Sequence, residues 1–374
     1  MKIGIPTEIK TDEFRVAITP AGVRDLVAHG HEILIQAGAG NGSAIEDEAY
    51  AAQGAQVVPA AENLWAAAEL VFKVKEPQPQ EIAMLRPGQI LFAYLHLAPD
   101  ASQTEALLAS GATCIAFEAV TDNRGRLPLL TPMSAVAGRL ATQVGAGLLE
   151  RLRGGRGVLM GGVPGVPAAR VVVLGGGVVG ANAAVGAAGM GADVTVFDRS
   201  LDRLAELDAL YGTALKTRYS TTLAVEEALS TADLVIGAVL VHGAKAPHLI
   251  TREQLKLLPA NATLVDVAID QGGCFETSRP TTHSDPTFVV DGVLHYCVAN
   301  MPGAVPTTST LALANATLPY LMRLADGGMQ VLRTDSDLQD GLNVHDGQLT
   351  NAAVAAAQKL PYVPAARALA GVPA

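Results

Sequence analysis

The feature of the sequence that most constrains its fold is an apolar run that leads directly into a cluster of glycines. Residues 171–174 carry no charge and include three β-branched side chains, which is typical of a buried parallel strand. Gly175, Gly177 and Gly180 follow in the spacing G-x-G-x-x-G, and the small residues of 182–188 then predict a helix. A strand, a glycine-rich turn and a helix in this order indicate the core unit of a doubly wound α/β fold.

Each glycine of this turn has its own physical reason. Gly175 permits the tight turn, Gly177 lets the backbone approach a pyrophosphate, and Gly180 lets helix and strand pack closely. The pyrophosphate would lie at the helix N-terminus, where unpaired N–H groups and the helix dipole favour an anion. The next predicted strand ends in Asp198, 18 positions after Gly180, whose carboxylate can accept the ribose hydroxyls and would repel a 2′-phosphate. We therefore expect NAD, although the neighbouring Arg199 leaves NADP open.

Length and composition narrow the class of protein further. A chain of 374 residues is long enough for two domains, and its net charge of −10 disfavours nucleic acid and anionic membranes as partners. The uncharged stretch 171–192 is long enough to span a membrane, but its many glycines and alanines favour a buried core without membrane contact. Cys114, Cys274 and Cys297 are scattered and odd in number, which indicates reduced thiols in a cytoplasmic protein. The first residues lack the apolar segment of a signal peptide.

Short apolar runs alternate with helical patterns along most of the chain, which predicts parallel, right-handed doubly wound sheets. Besides the strand before the glycines, the predicted strands are 2–5, 32–35, 70–74, 90–95, 112–117, 193–197, 214–217, 234–238, 263–267 and 288–290. The predicted helices are 20–29, 46–53, 60–68, 100–110, 134–153, 201–210, 223–230, 252–258, 311–326 and 349–360.

The strand signals stop at Thr307, so we expect the last part of the chain to be helical, with no sheet of its own. Roughly 70 residues of isolated helix would make a marginal domain, so this tail should return and pack on the first sheet. These patterns predict a discontinuous substrate domain, 1–130 with 307–374, and a Rossmann domain for NAD, 131–306. The active site is expected in the cleft between the two domains.

Ligands of open α/β sheets bind beyond the carboxyl ends of the strands, which directs attention to polar residues that follow apolar runs. Lys75, His96 and Asp270 each follow such a run, and Arg15 lies in the loop after the first strand. Arg15 can bind a substrate carboxylate bidentately, and Lys75 can hold the same group or polarise a carbonyl. His96 is suited to proton transfer, and Asp270 can orient water or a substrate ammonium.

These four candidates have alternatives. Arg15 can instead tie down its loop, and His96 taken alone can be an ordinary loop histidine. Lys73 points the same way as Lys75 on a strand, and Asp266 competes with Asp270. No P-loop, H-E-x-x-H or G-x-S-x-G motif is present, so phosphoryl transfer and hydrolysis have no support.

With these residues in view, the chain resembles the alanine dehydrogenase family. This family belongs to the formate/glycerate dehydrogenase-like fold, which also includes the NAD-binding subunit of proton-translocating transhydrogenase. The likeness covers nearly the whole length. It is carried by Gly-Ile-Pro-Thr-Glu at 4–8, by Arg-Val-Ala-Ile-Thr-Pro at 15–20, and by Gly-Gly-Val-Pro-Gly-Val at 161–166, before the glycine turn.

The resemblance implies NAD-dependent oxidative deamination of L-alanine to pyruvate and ammonia, together with the reverse reaction. It implies that Arg15 and Lys75 bind the substrate and that His96 and Asp270 act in acid–base catalysis. The family's dinucleotide site maps onto Ser134, Gly175, Gly177, Gly180, Asp198, Arg203, Ser220, Val239, Leu240, Val267, Ala268, Ile269, Asp270, Arg279, Val298, Ala299, Asn300 and Met301. Because family members are commonly hexamers, the resemblance also implies a homo-oligomer.

One departure concerns a metal. Some family members hold magnesium through an acidic residue and a histidine of the tail helix, where this chain has Arg323 and Gly327, so we predict no metal. The rival hypotheses are the transhydrogenase subunit, a dehydrogenase for another small amino acid such as glycine, a saccharopine-type reductase, and a catalytically silent NAD-binding module.

Overall fold

The computed structural model describes residues 1–239 and 248–371 of the chain. The chain divides into two compact units, a first unit formed by Met1–Met133 with Val305–Ala374 and a second unit formed by Ser134–Ala304. Its strands, in chain order, are β1 Lys2–Ile5, β2 Glu32–Gln36, β3 Gln56–Val58, β4 Leu70–Phe72, β5 Ile90–Ala93, β6 Thr113–Ala116, β7 Arg170–Leu174, β8 Asp193–Asp198, β9 Lys216–Tyr219, β10 Leu234–Gly237, β11 Thr263–Asp266, β12 Thr287–Val290, β13 Val293–Tyr296, β14 Leu342–His345 and β15 Gln348–Leu349.

The α-helices range from one turn to six turns. They are α1 Pro20–Ala28, α2 Asp47–Ala51, α3 Ala61–Ala67, α4 Pro79–Ile82, α5 Ala101–Ser110, α6 Thr131–Leu148, α7 Val178–Gly189, α8 Leu201–Tyr211, α9 Thr222–Leu229, α10 Arg252–Leu255, α11 Pro306–Gly327, α12 Val331–Thr334, α13 Ser336–Asp340, α14 Ala352–Gln358 and α15 Ala365–Leu369.

The sheet of the first unit has the strand order β15-β14-β6-β5-β4-β1-β2-β3. Strands β1 to β6 pair in parallel, and their order is that of a doubly wound sheet. The direction of winding reverses between β1 and β4, so the crevice of this sheet lies beyond the carboxyl ends of those two strands. Its apolar side chains form a core in which Leu64, Trp65 and Leu91 are fully buried.

The tail contributes to this sheet. Strand β14 pairs antiparallel with β6, and β15 pairs antiparallel with β14. The prediction that the tail is purely helical is therefore wrong. Leu342 and Val344 are the two apolar residues of a very short alternation, and their burial comes from pairing with a strand more than 200 positions away. A pattern this short gives no signal without its partner.

The sheet of the second unit has the order β12-β13-β11-β10-β7-β8-β9. All neighbours are parallel except β12, which pairs antiparallel with β13 at one edge. Winding reverses between β7 and β10, next to the glycine turn. The predicted fold class, two Rossmann-like α/β sheets, is confirmed. Strands β3 and β13 were not predicted. In β13 the buried residue His295 is polar, so the strand does not form a continuous apolar run in the sequence.

Two strands that face the crevice of the first sheet end earlier than predicted. Strand β4 ends at Phe72 and β5 ends at Ala93, rather than at residues 74 and 95. Backbone bonds from Lys73 to Phe92 and from Tyr94 to Val74 continue just past the strand ends. The N–H of Val74 donates to Glu8 and that of Leu95 donates to Glu118, so side chains take over at these points. The apolar runs continue past these points because their residues stay buried after the backbone has left the sheet.

Other boundaries also differ from prediction, among them those of a long helix and of a strand. Helix α6 begins at Thr131 and ends at Leu148, instead of spanning 134–153. Pro132 lies in its first turn, where a missing N–H breaks no helical hydrogen bond. The strand predicted at 214–217 is β9, at Lys216–Tyr219, because Gly212–Ala214 form a 3₁₀ turn.

Candidate active site

The glycine turn of the second unit combines two glycines that the fold itself requires with one that it does not. Gly175 has a φ of +101°, and a Cβ there would lie 2.8 Å from the carbonyl oxygen of Ala238. A Cβ on Gly180 would overlap the carbonyl oxygen of Gly175. A Cβ on Gly177, in contrast, would meet no described atom within 4 Å. The space in front of Gly177 is therefore open to a ligand.

Helix α7 begins at this open space. Gly177 is its N-cap and, within the described residues, no side chain caps the helix start. A twelve-residue helix with uncapped N–H groups favours an anion at its N-terminus. Helix α6 packs tightly here, because a Cβ on Gly138 would overlap the carbonyl oxygen of Val179. These residues fit the pyrophosphate of a dinucleotide.

Asp198 and Arg203 both hold the middle residue of the turn. The Oδ2 atom of Asp198 accepts the N–H of Gly176 at 2.7 Å, and its Oδ1 accepts the N–H of Ser200 at 2.8 Å. The Nε–H of Arg203 donates to the carbonyl oxygen of Gly176 at 2.5 Å. The carboxylate is thereby fixed beside the turn, where an acidic residue can accept ribose hydroxyls.

The remaining predicted cofactor residues lie mainly at the carboxyl ends of the parallel strands. Ser220 follows β9, Val239 follows β10, residues 267–270 follow β11, and residues 298–301 follow β13. Ser134 lies in the first turns of α6, and the guanidinium of Arg279 lies 4.2 Å from the ring centre of Phe288. Leu240 lies outside the described residues.

The structure separates the two aspartates that the sequence left in competition. Asp266 is fully buried and accepts hydrogen bonds from the N–H of Cys274 at 2.7 Å and the hydroxyl of Ser278 at 2.5 Å. Burial raises the pKa of Asp266. Asp270 is exposed, and its carboxylate lies 3.5 Å from the backbone nitrogen of Asn300. Asp266 therefore holds the loop, and Asp270 is the accessible carboxylate.

In the first unit, Arg15 is buried against a carboxylate that the sequence analysis did not single out. Glu13 accepts Nε–H of Arg15 at 2.6 Å and Nη2–H at 2.5 Å, and the Sδ of Met133 lies 3.0 Å from Nη1. Burial alone would lower the pKa of Arg15, but the hydrogen bonds and charge of Glu13 outweigh it and raise the pKa. A guanidinium has five N–H donors in a rigid fork, and the two hydrogen bonds to Glu13 fix the orientation of that fork.

The two neighbouring lysines also differ in their surroundings. Lys73 is 0% exposed and donates to Glu8 at 2.9 Å, whereas Lys75, which comes after β4, is also buried but keeps 9% exposure. Lys73 is thus occupied within the core. Lys75 remains the candidate for a substrate contact.

His96 is held in an unusual conformation after β5. Its φ of +49° lies in the left-handed region that non-glycine residues rarely adopt. Glu118 accepts the N–H of His96 at 2.6 Å and that of Leu95 at 3.2 Å, which compensates for part of the strain. The imidazole side chain is 43% exposed. This turn directs an accessible imidazole out of a well-anchored backbone.

A second carboxylate orients the ring of His96. Oε2 of Glu76 lies 3.3 Å from Nδ1, and the other oxygen of Glu76 pairs with Lys10. Burial would raise the pKa of Glu76, but the hydrogen bond from His96, the charges of Lys75 and His96 and the bond from Lys10 outweigh it and hold the pKa well below its usual value. A neutral imidazole that donates from Nδ1 to this carboxylate leaves Nε2 to accept a proton.

Arg15, Lys75 and His96 were predicted from the sequence, but the carboxylates that hold Arg15 and His96 were not: Glu13 holds Arg15, and Glu76 and Glu118 hold His96. Only one sequence signal was available: Glu13 and Glu76 stand within two positions of a cation. Such neighbours are common on protein surfaces, so this signal alone does not identify a site.

The two tail positions discussed for a metal lie on or at the end of α11. Arg323 pairs with Asp335 and lies 3.7 Å from Asp337, and its guanidinium covers the ring of Tyr320. Gly327 is the last residue of α11. Across residues 1–239 and 248–371, no helix combines the length and apolar character needed to cross a membrane.

Comparison with known proteins shows the family to which this chain belongs. Residues 4–137 match the family described as alanine dehydrogenase/PNT, N-terminal domain, and residues 141–352 match its C-terminal domain. A protein of Halomonas elongata named alanine dehydrogenase is 59% identical over 98% of this chain and 99% of its own length. A solved L-alanine dehydrogenase is 50% identical, with a TM-score of 0.93 over 96% of this chain and 99% of its own.

A transhydrogenase from Sinorhizobium meliloti is more distant, at 26% identity and a TM-score of 0.81, over 94% of this chain and 100% of that one. The family resemblance predicted from the sequence is confirmed: the chain belongs to the alanine dehydrogenase/PNT family.

Proposed function

We propose that this chain catalyses the reversible, NAD-dependent oxidative deamination of L-alanine to pyruvate and ammonia. The observation that carries the proposal is the set of groups at the carboxyl edge of the first sheet. A buried guanidinium, a lysine and an exposed, carboxylate-held imidazole follow β1, β4 and β5. Two relatives that this chain matches over almost their full length are named alanine dehydrogenase, and these names support the same reaction.

In this proposal Arg15 and Lys75 bind the carboxylate of alanine or pyruvate. Glu13 keeps the Arg15 fork in one orientation, so little side-chain entropy is lost when the substrate binds. Lys75 lies beyond the next strand, where it can also stabilise charge that develops on the keto oxygen. A substrate that lacks the carboxylate would lose both contacts.

His96 takes the proton-transfer role. Its Nε2 atom accepts a proton from the substrate nitrogen or from the water that adds to the imine, while Glu76 stabilises the imidazolium that forms. Asp270, which is exposed beside Asn300, supplies a second carboxylate for water or ammonium. Bound NAD would supply the hydride acceptor for the hydrogen of the alanine Cα, and the balance is alanine, NAD⁺ and water giving pyruvate, ammonium, NADH and H⁺.

NAD would be held by the residues that line the glycine turn. The open space before Gly177 and the uncapped start of α7 suit the pyrophosphate. The carboxylate of Asp198, already oriented by the N–H groups of Gly176 and Ser200, suits the adenosine ribose and disfavours the extra phosphate of NADP.

We further propose that the chain forms a homo-oligomer. The segment after α6 exposes Leu152 almost completely, and it also exposes Leu159, Val163 and Val166. Several exposed large apolar side chains along one segment suit an interface between copies of the chain. The expected hexamer and cytoplasmic location remain proposals, and the burial of Cys114, Cys274 and Cys297 as free thiols suits a reducing compartment.

A nicotinamide absorbance assay tests the reaction. Purified protein is offered L-alanine, glycine and L-serine, each with NAD and with NADP, and then pyruvate with ammonium and NADH. We expect the highest kcat/KM with L-alanine and NAD. Binding of NADH without turnover of any amino acid would contradict the proposal. It would favour the transhydrogenase-like alternative that the second structural match suggests.

A further inference from the structure

Behind Lys75 lies a buried charged cluster that the proposed reaction does not use directly. The ammonium of Lys73 lies between two carboxylates, 2.9 Å from Oε2 of Glu8 and 3.2 Å from Oε2 of Glu81. The side chain of Lys73 is 0% exposed, and those of the two glutamates are almost as deeply buried. We call these three residues the Lys73 cluster.

The Lys73 cluster bonds to the backbone on both sides of Lys75. Glu8 accepts the N–H of Val74 at 2.6 Å and the N–H of Lys75 at 3.4 Å. Lys73 donates to the carbonyl oxygen of Lys75 at 3.2 Å. The backbone hydrogen bonds between this segment and the β5 side of the sheet involve Lys73 and Val74, and beyond them the side chains of the cluster bond to the N–H and the carbonyl oxygen of Lys75.

The position of the cluster agrees with a role at the site. Glu8 follows β1 and Lys73 follows β4, the two strands between which the winding of the first sheet reverses. Ligands of open α/β sheets bind at this point. The cluster therefore lies beneath the crevice that would receive the substrate.

Stability alone does not account for such a cluster. Removing three ionisable groups from water costs several kcal/mol per ion, and buried ion pairs are often no more stabilising than apolar residues of the same volume. Burial would lower the pKa of Lys73, but the charges of Glu8 and Glu81 outweigh it and raise the pKa, so the lysine stays charged. An arrangement this costly is better explained by the backbone geometry that it fixes.

We propose that Lys73, with Glu8 and Glu81, is a positioning residue that sets the backbone of Lys75 for the substrate carboxylate. The inference rests on the proposed function, because it presumes that Lys75 contacts the substrate. It predicts a selective effect: loss of the cluster raises the KM for pyruvate and for alanine but leaves NADH affinity unchanged, because the glycine turn belongs to the other unit.

The test compares Lys73→Met with the double variant Lys73→Met/Glu8→Gln. The single variant leaves two buried carboxylates without their cation and is expected to lose stability. The double variant removes one of those charges and keeps an amide oxygen for the N–H of Val74, so it is expected to fold better. Both lack the ammonium that binds the carbonyl oxygen of Lys75.

Gln89→Met is the matched control. Gln89 is fully buried in the same unit, and its amide donates to the carbonyl oxygens of Trp65 and Ala68. It precedes β5, so it lies at the amino edge of the sheet, opposite the crevice. Its replacement should reduce thermal stability and leave the KM for pyruvate unchanged.

We expect the KM for pyruvate to rise about tenfold to a hundredfold in the variants that lack Lys73, with the Kd for NADH within twofold of wild type. An unchanged KM for pyruvate in the folded double variant would overturn the inference, as would an equal rise in the Gln89→Met control. Failure of the proposed function is distinguishable, because the wild-type chain would then already lack turnover.

Discussion

Glu76 and His96 form a carboxylate–imidazole pair with an Nδ1–Oε2 distance of 3.3 Å, and the carboxylate is far more buried than the ring it orients. The pair joins the ends of β4 and β5, and Lys10 holds the other carboxylate oxygen. In our proposal the Nε2 atom of this fixed ring is the one that accepts the proton. The arrangement gives the accessible imidazole one tautomer and one orientation.

Glu76→Gln and Glu76→Leu should separate orientation from charge. The amide of Gln can still accept the Nδ1–H but cannot stabilise an imidazolium, so we expect kcat/KM for alanine to fall about tenfold. Leu removes both effects and should cost about a hundredfold or more. Steady-state kinetics in both directions measure the loss. Glu105→Gln, on the exposed face of α5, serves as the control, and equal losses for Gln and Leu would argue against the role of charge.

The same carboxylate predicts a pH dependence of stability. The pKa of Glu76 lies below its usual value of 4.5, so the ionised form stabilises the fold. This contribution is complete above pH 4.5 and is lost progressively as the pH falls toward the folded-state pKa. Urea unfolding of wild type and Glu76→Gln should therefore give free energies that differ most at neutral pH and converge in acid. A constant difference at every pH would contradict the assignment.

The glycine turn contains one glycine that faces open space and one that the fold requires, so substitutions there should separate ligand binding from stability. Gly177→Ala adds a Cβ where no described atom lies within 4 Å, so we expect normal folding and weaker NADH binding. Gly180→Ala drives a Cβ into the carbonyl oxygen of Gly175 and should cost about 1–3 kcal/mol of stability. Fluorescence titration with NADH and thermal unfolding distinguish the two effects. Gly189→Ala, at the far end of α7 with open space around it, is the control.

Asp266→Asn and Asp270→Asn should act on different properties. In the wild type the N–H of Cys274 and the hydroxyl of Ser278 donate to the Asp266 carboxylate. The NH₂ of the introduced asparagine cannot accept such a bond, so the free energy of unfolding should fall by about 1–3 kcal/mol. Asp270→Asn changes an exposed group, so we expect the fold to survive while turnover falls. Thermal denaturation and the alanine assay measure the two outcomes. A stable, fully active Asp270→Asn protein would remove Asp270 from the mechanism.

The sequence was sufficient for the parts of the fold that depend on local pattern. The apolar run before Gly175, the glycine spacing and the acidic end of β8 are local, and they predicted the nucleotide-binding fold. The short strand β14 was not predictable in this way, because its burial depends on β6. Likewise, the early end of β4 depends on Glu8, which stands more than 60 positions before it.

For the candidate site, the sequence by itself determined which chemical groups are available: a guanidinium and an amine for a carboxylate, an imidazole for a proton, and glycines for a phosphate. Only the tertiary structure decided which of two similar residues is more accessible. Lys73 and Asp266 are fully enclosed, whereas Asp270 is exposed and Lys75, although buried, keeps 9% exposure. The physical reason is that burial and hydrogen-bond partners determine whether a side chain is charged and accessible. Both depend on residues that are distant in sequence.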